Sequence, residues 1–114
     1  MDTEITLDKP RRLRFDLAAF KDLEAAMGGV PLGTIYRQIQ QFGLTAISLA
    51  LWAGLKHEDR ALTRPLTDTI FETYLTGGGR VSTVTTALME AIDASGLFGG
   101  PEGNAPASAT TSPS

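Results

Sequence analysis

The run at residues 43–60, GLTAISLALWAGLKHEDR, constrains this chain more than any other stretch. Between Leu44 and Leu55 the only polar side chains are Thr45 and Ser48, and a block of charge closes it. A helix rises about 1.5 Å per residue, so the run covers roughly 18 Å against about 30 Å of bilayer hydrocarbon. It is too short to span a membrane. Apolar on nearly every side, it predicts a helix that its neighbours must surround, or else a partner must cover what they leave open.

The rest of the chain has to supply those neighbours. EITL at residues 4–7 and RRLRF at 11–15 alternate apolar and polar positions on either side of Asp-Lys-Pro, which is turn chemistry, so a small N-terminal β-hairpin is predicted. Ile5 and Leu7 fall on one face of the first strand, and Leu13 and Phe15 on one face of the second. Two strands alone are marginal in water and must lie on helices or pair with another chain.

Asp16 stands where an N-cap belongs, Leu17, Phe20, Leu23 and Met27 form a helical stripe, and Gly28-Gly29 stops it. A second helix begins near Pro31, with Leu32, Ile35, Tyr36, Ile39 and Phe42 on one stripe, and Gly43 breaks it. After the central helix, KHEDRALT reads as a polar loop. Pro65 suits the first position of a fourth helix striped by Leu66, Ile70, Phe71, Tyr74 and Leu75, which the glycines at 77–79 end. Val84, Leu88 and Ile92 keep a four-residue spacing, which predicts a fifth helix over residues 82–94 despite its β-branched start. The expected fold is therefore mostly α: a hairpin and about five short helices around one core, in a single domain over residues 1–98. Residues 99–114, rich in Gly, Pro, Ala, Ser and Thr, lack apolar periodicity and read as a disordered tail.

Chemistry-bearing patterns are sparse. There is no cysteine, which excludes disulfides and thiolate metal sites. His57 is the single histidine; without a second, KHED favours a solvated loop over a metal site. The glycines before RVST lack the Gly-Lys-Ser/Thr of a phosphate loop, so a flexible connection is preferred to a phosphate cradle. Lys9, Arg11, Arg12 and Arg14 cluster, yet the net charge is −3 and no nucleic-acid motif accompanies them. A solvated strand face or an ion-pair patch is preferred to nucleic acid. Trp52 and Tyr36 serve equally as core filling or as binding anchors. No nucleophile–base pair suggests an enzyme, and no cofactor is expected. With neither a membrane span nor an export signal in the sequence, the chain reads as soluble and intracellular.

The succession RRLRFDLAAFKDLEAAMGG, then ALWAGLKHEDRALT, then a Pro-initiated helix and a closing amphipathic helix resembles the small tail assembly chaperones of long-tailed phages and gene transfer agents. The resemblance covers about residues 11–98. It implies a non-catalytic protein of the host bacterial cytoplasm that coats the tape measure protein, a long and partly apolar helical chain, before tube subunits polymerise around it. It also implies self-association into a homo-oligomer. On that reading Leu44, Ile47, Leu51, Trp52 and Leu55 are expected to divide between core and client contact, and a hairpin edge near Ile5, Leu7, Leu13 and Phe15 to pair with a second copy. The alternatives are a minor structural tail protein retained in the particle and a small nucleic-acid-binding module.

Overall fold

The computed structural model describes residues 2–97, so the predicted tail lies outside the described residues. Strands β1 (Thr3–Thr6) and β2 (Pro10–Leu13) precede helices α1 (Leu17–Ala26), α2 (Leu32–Gln40), α3 (Leu44–Leu55), α4 (Arg64–Thr76) and α5 (Val81–Ala94). The mostly helical fold with an N-terminal hairpin is as expected. The strands pair antiparallel, with Ile5 opposite Arg11 and Thr3 opposite Leu13. Each starts one residue earlier than the alternation suggested, and β2 ends before Phe15, whose ring leaves the sheet to stack on Phe20 at 5.2 Å between centroids.

Local chemistry explains where the helices begin. The Asp16 carboxylate accepts from the Ala19 N–H, and the Thr63 hydroxyl accepts from Leu66 N–H, so two helices open on side-chain caps. Pro31 carries no capping group, and the Glu24 carboxylate from α1 accepts from Leu32 N–H in its place, at 2.8 Å.

The four helices α1, α2, α4 and α5 end alike. A residue of positive φ follows the C-cap and sends its N–H back into the last turn: Gly28, Phe42, Gly78 and Gly96. Three of the four are glycine. In α2 the position is Phe42, at φ 63°, where an L side chain costs about 1–2 kcal/mol.

The central position of α3 is as its composition requires. Ala46, Ile47, Ala50, Leu51, Ala53, Gly54 and Leu55 are all buried, and α3 contacts α1, α2, α4, α5 and β2. Ile47, Leu51 and Leu55 each add about 1.5–3 kcal/mol of burial, and they meet Leu13, Leu23, Ile35, Ile39, Leu88 and Ile92 in one cluster. β2 approaches α3 closely enough for Arg14 N–H to donate to the Gly54 carbonyl at 2.9 Å. Tyr36 lies toward α5; burial, with the Asp93 carboxylate beside it, pushes its hydroxyl above the ordinary value.

Three stripe residues do not join this core. Leu17 is 62% exposed and Leu66 44%. Both stand in the first turn of their helices, and a stripe read from spacing runs to the helix end whether or not a neighbour reaches that far. Phe42, 50% exposed, falls beyond the end of α2, where the left-handed turn takes it off the stripe.

Candidate functional site

Leu44 shares one stripe of α3 with Ile47, Leu51 and Leu55, but it stands in the first turn, where the core no longer covers it. Ile47, Leu51 and Leu55 have no exposed surface, so they are core and leave the candidate contact set. Leu44 is 56% exposed and Trp52 half-buried, but the two open into different clefts. The fold does not gather the five into one site.

Trp52 borders a cleft of about 390 Å³ between α1, the end of α3 and the following loop, beside Asp22, Lys56, His57 and Arg60. Its ring is already engaged: Lys56 Nζ stands 4.6 Å from the centroid and the Arg64 guanidinium 5.2 Å, both within cation–π range. Lys56 also pairs with Asp22. This cleft mixes charges of both signs around an occupied ring.

Leu44 borders a groove of about 360 Å³ between α3 and α4. The helices run in opposite directions there, since the Ser48 hydroxyl donates to Asp68 while Arg64 reaches Trp52. Leu44, Leu49, Phe71 and Leu75 supply the apolar wall, and Thr45, Ser48, Asp68 and Glu72 the polar rim. Among the described residues no cation lines it. Phe42 sits two residues before Leu44, at the same end of α3. From the sequence, Phe71 and Leu75 read as core and Phe42 as part of the α2 stripe. Only the shared apolarity of α3 and α4 hinted that a groove lay between them.

The hairpin residues expected near a self-association edge turn inward instead. Ile5, Leu13 and Phe15 are buried and Leu7 is half-buried, because β1 packs on α5 and β2 on α3. The outer edge of β2 is closed. Arg12 N–H donates to Glu58 Oε1 at 3.2 Å, and His57 Nε2 lies 2.9 Å from the Arg12 carbonyl, to which it donates. The KHED loop is thus a cover for a strand edge, and among the described residues no group of three or more acidic or His residues is placed to hold a metal. Since the Arg12 backbone faces away from β1, its partner Glu4 faces away from β2. Among the described residues the Glu4 and Thr6 backbone groups on that side make no hydrogen bond.

The basic cluster is largely answered within the chain. Arg11 shares the inward face with Leu13 and is 5% exposed, forking onto Asp8 at 2.7 and 2.9 Å. That hydrogen-bonded guanidinium holds the Asp8 carboxyl below its ordinary value against the opposing effect of burial. Arg14 pairs with Asp2 at 2.8 Å. Lys9 and Arg12 lie at exposed positions.

Among the described residues no helix is long and apolar enough to cross a membrane. Comparison with known family models, with curated proteins and with solved structures found no match.

Proposed function

We propose that this chain is a non-catalytic assembly chaperone of a phage-like tail, which binds the tape measure protein and keeps it soluble until tube subunits enclose it. The observation that carries this reading is the α3–α4 groove, where Leu44 is left 56% exposed beside Leu49, Phe71 and Leu75 while Ile47, Leu51 and Leu55 of the same helix are enclosed. An apolar groove between two helices takes the apolar face of a third, and an elongated helical client has such faces in excess. The resemblance of residues 11–98 to small tail assembly chaperones supports the same reading, and the acidic net charge of −3 suits a soluble escort.

The test is co-expression with the tape measure protein of the same genome. Soluble client should rise when this chain is present and fall back with Leu44→Asp, a surface change that leaves the core intact. Mass spectrometry of purified particles should then find the chain missing. Client solubility that does not depend on this chain overturns the proposal, and stoichiometric retention in particles replaces it with a structural tail subunit.

A further inference from the structure

The geometry points to a basic amphipathic helix as the occupant of the α3–α4 groove, seated by leucine-like anchors between Leu44, Leu49 and Leu75 and by lysine or arginine against Asp68 and Glu72. This rests on the chaperone reading and adds to it the chemistry of the client segment.

Charge selects the occupant. Asp68 and Glu72 stand one helical turn apart on the exposed side of α4, and side chains four residues apart share one helix face. Asp68 accepts from the Ser48 hydroxyl, which orients its carboxylate, and among the described residues it forms no salt bridge. Among the described residues no cation lines the groove, and α4 has no basic residue in its last turn. The rim is therefore acidic beside an apolar floor. The chain's own C-terminal segment does not fit, because residues 98–114 contain no Lys or Arg. An acidic client would bring like charges together over an apolar surface, which opposes docking.

Phe42 leaves a second apolar side chain exposed close to the start of α3. Its φ of 63° occupies the place that glycine takes at the ends of α1, α4 and α5, and its ring stays half exposed rather than joining the core. A non-glycine side chain in that region is kept against a local cost, and such costs gather at sites of contact. The residue stands two positions before Leu44 in the chain, just ahead of the first turn of α3.

The experiment uses the full chain and two fluorescein-labelled helical peptides. Both carry leucines one turn apart; one has lysine at the flanking positions and the other glutamate. Anisotropy titration should show the lysine peptide binding about tenfold more tightly, as expected of two partly exposed charge pairs plus the repulsion they replace. The gap should narrow at high salt. The double variant Asp68→Asn, Glu72→Gln, which leaves the core untouched, should abolish the preference and keep the helical circular dichroism. Equal affinity for the two peptides, or a preference that survives the double variant, overturns the inference. Saturable binding of a second copy of this chain in the groove, displaced by neither peptide, overturns it too. If the tape measure protein is solubilised while the peptides bind alike, the charge rule fails and the chaperone reading stands. If the lysine preference holds without any effect on the tape measure protein, the reverse is true.

Discussion

Gly54 lies against Phe15 so closely that a Cβ on it would stand 2.9 Å from Phe15 Cζ and 3.0 Å from Leu13 Cδ2. The contact is what lets β2 reach α3 and donate from Arg14 to the Gly54 carbonyl. Neither neighbour is the free end of a flexible chain; both are enclosed in the core. Gly54→Ala should therefore cost about 1–3 kcal/mol through overpacking, even though alanine is the better helix former. The same exchange at Gly33, also in a helix but with nothing within 4 Å of its Cβ position, should stabilise by about 0.5 kcal/mol. Urea midpoints of the two variants should move in opposite directions.

Arg11 and Asp8 make the second prediction. The guanidinium is buried while the Asp8 side chain is 37% exposed, so removing the carboxylate leaves the buried cation with only the longer pair to Asp59 at 3.9 Å. Asp8→Asn should cost about 1–2 kcal/mol, less than a fully buried pair because solvent screens one partner. The sign of the pH dependence follows from the direction of the shift. Asp8 is held below its ordinary value, so its contribution is present above the unfolded-state value of about 3.9 and is lost as pH falls through the lower folded-state value. The stability gap between the natural chain and Asp8→Asn should be open at neutral pH and close under strong acid. A gap independent of pH would mean that the ion pair is not its source.

Most of the architecture was legible in the residues because caps and stops are local chemistry. Asp16, Gly28-Gly29, Gly43 and the glycines at 77–79 bound their helices where expected. The apolar run of α3 implied its central place. Which part of the α3 stripe stays open was not legible, because Leu44, Ile47, Leu51 and Leu55 are chemically alike and share one face, and only the neighbouring elements decide where along it the cover ends. Arg11 was hidden for a related reason. Strand alternation assigns it to the inward face, but its burial depends on Asp8 folding back across the turn. Phe42 read as a stripe residue because spacing continues past a helix end, whereas the backbone does not.

Thr85 is a third test of the core. It is 5% exposed on α5, and its hydroxyl oxygen has no hydrogen-bond partner among the described residues. Thr67, equally enclosed, donates to the Thr63 carbonyl at 2.8 Å. An unpaired buried hydroxyl forfeits its hydration without return, so Thr85→Val should raise stability by about 1 kcal/mol. Thr67→Val removes a made bond and should lower it by a similar amount. Thermal melts of the two variants check the contrast, and a destabilised Thr85→Val would show that its hydroxyl is satisfied in solution.

Phe42 joins stability to binding most directly. Glycine at φ 63° removes about 1–2 kcal/mol of local strain. Against that stand the loss of a half-exposed ring's contacts and the greater freedom of glycine in the unfolded chain, each about 1 kcal/mol. Phe42→Gly should therefore leave the urea midpoint nearly unchanged. Phe20→Ala, at a ring 3% exposed, should cost about 3–5 kcal/mol. Binding should separate them the other way: Phe42→Gly should weaken the lysine peptide several-fold on a fully folded protein if the exposed ring, two residues before Leu44, takes part in contact. A Phe42→Gly variant that melts early would make the ring part of the core. One that folds and binds normally would leave its strained backbone without a role in recognition, and the client surface would shrink to Leu44, Leu49 and Leu75.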